Sequence, residues 1–316
     1  MSLSLYGEPE VTKFRGGKPA AFTMQFDDSM ESQAAIAVPQ MNARGLVGTF
    51  YINPDTARYR ATRETWEVIC PQSGHELANH TMRHEGARDY AEAEHEIGEC
   101  SRLIWRLYPG VSKLRPFARG GATTWSVSDE QIKGLVRKWF LFRRDGGTAI
   151  VDEYGTGQDP SVFARQAVEK GEWAPVHFHG IGGQWLSTCE AGFLKLLDYL
   201  AENRDKLWIA TAGAARKYRV EHEALWRVLL TDATPQGFAA TIECDEGKAD
   251  TYGAPFAEVY DEPLTVRVRV PAEWRRLRAK QGEATMAGDV AGAGRRTEAA
   301  FDVLPNRGKA VVTRLE

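Results

Sequence analysis

The sequence predicts an α/β protein, a parallel sheet flanked by helices, followed by a small antiparallel β-sandwich. Three observations carry this. Short apolar runs alternate with helical patterns from residue 20 to about residue 218. The chemically distinctive residues Asp27-Asp28, His80, Arg119 and His179 each fall just after one of those runs. In a parallel barrel or open sheet such strand ends share one face. Near residue 220 the pattern changes to short strands separated by Gly, Pro, Asp and Asn clusters.

Taken in order, residues 20–26 form a continuous apolar run, read as a buried first strand that stops at Asp27-Asp28-Ser29. A helix over 31–42 follows, then a second strand over 47–52 ended by Asn53-Pro54. After a short helix at 65–70, a brief third strand at 76–78 delivers His80 and His84. Residues 89–108 are the longest helical pattern, with Ile97, Leu103, Ile104 and Leu107 inward and Pro109-Gly110 as the stop. A fourth strand at 113–118 leads to Arg119-Gly120-Gly121. The next helix, 128–139, starts at Ser128 with Gln131 in the capping-box position. Strands at 140–143, 174–178 and 207–210 complete a set of seven, with helices at 159–170, 189–203 and 211–218.

Beyond a boundary at about Arg219, strands are expected at 225–231, 238–244, 264–270, 277–281, 301–304 and 310–315. The run Val266-Arg267-Val268-Arg269-Val270 alternates with period two, so one face is buried and one wet. These strands make a sandwich of roughly 95 residues, the usual size of such modules. Residues 1–218 are thus assigned to the α/β domain and 219–316 to the sandwich. The Ala- and Gly-rich patch 287–294 reads as a flexible loop. Glycan binding, a homo-oligomer contact and a brace for the larger domain are all open roles for the sandwich.

Composition excludes several classes of function. The net charge of −3 with 26% charged residues gives no polybasic surface for nucleic acid or anionic lipid. No apolar run approaches the roughly 20 residues of a membrane span. The first residues lack the basic and apolar regions of a signal peptide. This fits either a cytoplasmic protein or a secreted or periplasmic one whose signal has been removed. Cys70, Cys100, Cys189 and Cys244 are dispersed without metal-ligand spacing and read as small buried hydrophobes.

His80 and His84 lie four residues apart, a spacing that on a helical turn puts both imidazoles on one face. Neutral imidazole is the commonest protein ligand for a borderline metal. Asp27-Asp28 at a buried strand end is costly unless a cation is near. A helix cap is one reading of that pair. The other is a metal held by Asp28, His80 and His84, the two-imidazole, one-carboxylate set of a catalytic zinc, which leaves Asp27 as general base. His179, ending the sixth strand, is placed to act as the opposing acid. Trp125, Trp185 and Tyr154 fall in loops at the same face, where they either stack on sugar rings or pack.

Three segments together resemble a known family: Phe26-Asp27-Asp28-Ser29, Gly74-His75-Glu76 with Asn79-His80-Thr81 and His84, and His179-Gly180. They are similar to the polysaccharide deacetylases, carbohydrate esterase family 4 with its NodB-homology domain, over roughly residues 15–218. The resemblance implies a distorted (β/α)7 barrel and a divalent metal, usually Zn2+, on Asp28, His80 and His84. It implies Asp27 as base, His179 as acid, and an acetylated poly- or oligosaccharide as substrate. The family also has an arginine after the fourth strand that holds the base. Arg115, beside Pro116, and Arg119, in Phe117-Ala118-Arg119-Gly120-Gly121, both fit that place. Two rivals remain: a hydrolase of a non-sugar amide or ester on the same fold, and a catalytically silent carbohydrate-binding protein.

Overall fold

The computed structural model describes residues 5–152 and 159–315. The chain divides into two compact units, one of Ala20–Ala215 and one combining Met1–Pro19 with Arg216–Glu316.

The first unit is built on a curled, wholly parallel sheet in which all seven expected strands are present. In chain order they are Ala20–Asp27, Thr49–Ile52, Glu76–Asn79, Arg115–Phe117, Leu141–Arg143, Trp173–Phe178 and Leu207–Ala210. A two-residue strand, Thr148–Ala149, adds to the sixth. The first strand is the hub. It pairs with the sixth along one side, while the second and seventh share the other, at Gln25–Asp27 and Ala20–Thr23 respectively. Helices join the strands, including Tyr90–Leu107, Asp129–Lys138, Ser161–Lys170 and Glu190–Glu202. This is a distorted (β/α)7 barrel left partly open.

Alternation along the first strand explains where the core and the polar interior lie. Phe22, Met24 and Phe26 join the apolar core, where Phe26 stacks on Phe50 at 4.7 Å and on Phe178 at 5.2 Å. Each such side chain stabilises the fold by roughly 1.5–3 kcal/mol on burial. The opposite face carries Thr23, Gln25 and Asp27, and its neighbours are polar too. Tyr51 donates its hydroxyl proton to Gln25 Oε1 at 2.7 Å, and Thr49 does the same to Glu76 Oε2 at 2.9 Å. The helix at Asp129 starts as expected, with Ser128 and Gln131 forming a reciprocal capping box.

The second unit holds two antiparallel sheets whose facing aromatic rings meet, Phe238 lying 5.6 Å from Phe301 and 6.1 Å from Trp274. Two features depart from expectation. Glu10–Val11 is a strand paired with Val266 and Arg267, and Arg15 forms salt bridges to Glu262 at 2.7 Å and Asp302 at 2.9 Å. The N-terminal segment therefore packs into this unit. The patch read as a loop contains a strand, Gly288–Ala291, paired with Glu298–Phe301. Small residues fit there because the backbone approaches closely: a Cβ on Gly288 would lie 2.4 Å from Leu277 Cδ1. The described cysteines are all unbridged. No described helix is long and apolar enough to cross a membrane.

Candidate active site

The site forms where the first strand stops. Side chains alternate along a strand, so Asp27 and Asp28 would point to opposite faces if it continued. Instead Asp28 and Ser29 adopt left-handed backbone angles, φ 77° and 50°. That turn swings Asp28 towards the position Asp27 already faces. His179 Nε2 lies 3.9 Å from Asp27 Oδ2 and 4.0 Å from Asp28 Oδ2. Left-handed non-glycine residues cost energy and persist only where surroundings over-determine them. Here Asn53 donates its backbone N–H to Ser29 Oγ at 3.0 Å. Fully buried Gln33 donates from Nε2 to the carbonyls of Asp27 at 2.6 Å and His179 at 2.9 Å, tying the first and sixth strand ends together.

His80 and His84 do not sit on a helical turn. Residues 80–85 are a loop in which Thr81 and His84 are left-handed, φ 71° and 62°. Local polar side chains outcompete the helix. Asn79 Oδ1 accepts from Thr81 N at 2.9 Å, and Asn53 Nδ2 donates to the His80 carbonyl at 2.6 Å. The loop still brings the imidazoles together, with ring centroids 4.9 Å apart.

Asp28, His80 and His84 each offer a ligand atom, and these lie within 4.8 Å of one another. Asp28 Oδ1 is 3.4 Å from Nε2 of both histidines, and this buried oxygen accepts no hydrogen bond among the described residues. His80 Nδ1 is 2.7 Å from the Ala118 carbonyl, which can only accept. In the neutral ring this bond keeps the proton on Nδ1 and leaves the Nε2 lone pair free as a ligand. Burial works against ionisation of Asp28. Interaction with His80, then the charges of His84 and Arg58, outweighs it and brings the carboxyl down to about 2. An orphaned carboxylate oxygen between two imidazole nitrogens is a donor set that fits a divalent cation. Gly120 closes the site from the fourth strand's loop, where an added Cβ would lie 2.5 Å from His84 Nε2.

Asp27 is held by Arg144 and not by either arginine near the fourth strand. Arg144 Nη1 donates to both carboxylate oxygens, at 2.6 and 2.9 Å. Burial opposes ionisation of Asp27, but the charges of His80 and Arg144 outweigh it, so its pKa falls below the ordinary range. Neither Arg115 nor Arg119 contacts Asp27. Arg115 turns back at the start of its strand, donating to the Ser112 carbonyl at 2.7 Å and stacking on Tyr108. Arg119 is half exposed, 3.8 Å from Asp129. Arg144 directly follows the fifth strand, so an arginine at a strand end is the sequence feature that marks it, one strand later than expected.

The aromatic candidates differ among themselves. Trp185 is 65% exposed in the loop after His179, and its carbonyl accepts from Gly180 N at 3.1 Å. Trp125 is half-buried against a cluster containing Phe117 and Ile132. Tyr154 lies outside the described residues.

No family model matches the chain. A gellan lyase from a Bacillus species is 20% identical over 310 residues, covering 87% of this chain and 12% of that protein. The chain thus spans a small part of that curated relative. Among solved structures, it is similar to the peptidoglycan deacetylase PdaC of Bacillus subtilis, with 14% identity and a TM-score of 0.46 over 65% of this chain and 94% of that one. A family 4 carbohydrate esterase from Streptomyces lividans, solved with acetate, gives 18% identity and a TM-score of 0.42 over 60% and 91%. A family 4 pseudoenzyme from Bacillus anthracis gives 14% and 0.42 over 60% and 63%.

Proposed function

We propose that this chain is a metal-dependent hydrolase of the polysaccharide deacetylase family, removing acetyl groups from an N- or O-acetylated carbohydrate. The observation that carries this is the convergence at one barrel face of Asp28, His80 and His84 with the Arg144-held Asp27 and with His179. The three sequence segments named above point to the same family. A silent carbohydrate-binding protein would have no need of a buried, arginine-held carboxylate opposite a histidine.

Asp28 Oδ1 and the Nε2 atoms of His80 and His84 would hold the cation, and Zn2+ suits the donors. Such an ion lowers the pKa of a nearby water and polarises an acyl carbonyl. Asp27, kept ionised, takes the proton as water adds to the acetyl carbon. His179, 3.9 Å from Asp27 and 4.0 Å from Asp28, gives a proton to the departing sugar amine or alcohol. Arg144 keeps the Asp27 carboxylate oriented throughout.

The test is acetate release by zinc-loaded protein from acetylated chito-oligosaccharides and acetylated xylan. Release that chelation abolishes and zinc restores supports the reading. No acetate from any acetylated saccharide overturns it.

A further inference from the structure

A cavity of about 300 Å3 is lined by Phe117, Ala118, Arg119, Ile132, Arg143 and Arg144, the last of which holds Asp27. That is at the lower end of small-molecule sites, roughly 300–1,000 Å3. Three of the six lining side chains are guanidinium groups, in a chain whose net charge is −3. Their charges are unequally compensated. Arg144 is held by Asp27 through Nη1. Arg119 has only a loose 3.8 Å pairing to Asp129, whose side chain is itself largely exposed. Arg143 has no carboxylate partner among the described residues. Two guanidinium groups line one cavity with no carboxylate within hydrogen-bond distance among the described residues, and together form a receptor for a carboxylate or phosphate oxygen pair. The rest of the lining is apolar and offers no competing acceptor side chain.

From this juxtaposition we infer that the substrate is an acidic saccharide, carrying a carboxylate or phosphate on or next to the acetylated sugar, which Arg119 and Arg143 bind. Two of its lining residues touch the candidate site, Ala118 through its carbonyl to His80 and Arg144 through its bonds to Asp27. An anion seated there would therefore place its neighbouring sugar at the reacting groups. Concentrated positive charge at such a cleft also raises the local concentration of an anionic substrate, an effect that falls with ionic strength.

The substrate assignment rests on the hydrolase reading, whereas the anion site does not, so two measurements separate them. The first is calorimetric binding of unacetylated oligosaccharides to zinc-loaded protein: an oligouronate, the same oligouronate as its methyl ester, and a sugar phosphate. At low salt the charged ligands should bind about tenfold or more tighter than the methyl ester, as charge-assisted hydrogen bonds require. The Arg119→Gln/Arg143→Gln double variant, checked for an unchanged melting profile, should lose that difference. Whichever of oligouronate and sugar phosphate binds more tightly identifies the anion. Equal binding of charged and neutral forms overturns the anion site. The second is acetate release from acetylated oligouronate against acetylated xylo-oligosaccharide. Wild type should show a kcat/KM ratio of about ten or more, carried by KM, and the double variant a ratio near one. Release from the neutral substrate at an equal or better kcat/KM overturns the substrate assignment. Absence of acetate from every substrate, with charge-selective binding intact, would instead sink the hydrolase reading and leave the anion site standing.

Discussion

Arg144 spans both carboxylate oxygens of Asp27, 2.6 and 2.9 Å away through a single guanidinium nitrogen. The Arg144 guanidinium also lies over the Tyr51 ring, 4.8 Å from its centroid. Tyr51 in turn is anchored through Gln25, two residues before Asp27 on the same strand face. Asp27 and its counter-charge are thus tied into the polar interior of the barrel.

Removing that counter-charge leaves a buried carboxylate with one partner fewer. Arg144→Ala should lower kcat/KM about a hundredfold and destabilise the fold by about 3 kcal/mol, the scale for breaking a buried pair. Arg144→Lys keeps the charge but not the planar fork and should fall between. Steady-state kinetics with denaturant melts check this. Activity of the alanine variant within twofold of wild type would remove Arg144 from the account.

Gly120 tests how the fourth strand's loop sets the candidate ligands. A Cβ there would crowd three atoms of the His84 imidazole at 2.5–2.8 Å. Gly120→Ala should therefore displace His84 and weaken zinc binding about tenfold or more, the range for disturbing a ligand's support. Global stability should change little, since the position lies in a loop. Competition with a chromophoric chelator measures the affinity, and an unaltered zinc affinity would contradict the placement of that loop.

Acid stability should carry the mark of His75. Its Nδ1 accepts from Gly48 N at 3.1 Å and its Nε2 faces Asn42 Oδ1 at 2.9 Å, so a second proton would confront an N–H. Burial pushes its pKa down from 6.5 to about 4. Between those values the unfolded chain binds the extra proton, so stability is full above about 6.5 and is lost as pH falls towards 4. The loss is about 3 kcal/mol at one pKa unit per 1.36 kcal/mol. Urea midpoints at pH 7 and 4.5 should converge in His75→Gln relative to wild type. The same acid slope in both would contradict the assignment.

Much of this arrangement was legible in the sequence because it is local and periodic. Seven apolar runs alternating with helical patterns gave a parallel α/β sheet, the family resemblance its closure into a barrel, the strand ends Asp27, Asp28, His80 and His179, and the four-residue spacing His84. What stayed hidden depends on direction or distance. Arg143 and Arg144 are neighbours, and only the phase of the strand decides which one meets Asp27. The His80–His84 spacing suggests a helix, but a hydrogen bond from Asn53 to the His80 carbonyl and one from Thr81 N to Asn79 Oδ1 impose a left-handed loop. The strand at Glu10–Val11 is fixed by Val266 and Arg267, more than 250 positions along the chain, where no local pattern reaches. The small residues of Gly288–Ala291 looked like a linker because their partner, Glu298–Phe301, supplies the pairing.

The most direct test is metal content and acetate release measured together on three proteins loaded with zinc: wild type, Asp27→Asn and His80→Ala. Wild type should hold one zinc per chain and be active, Asp27→Asn should hold one zinc without activity, and His80→Ala should have neither zinc nor activity. Equal zinc in all three, or equal zinc loss in the two variants, would contradict the division of roles between base and ligand on which the account stands.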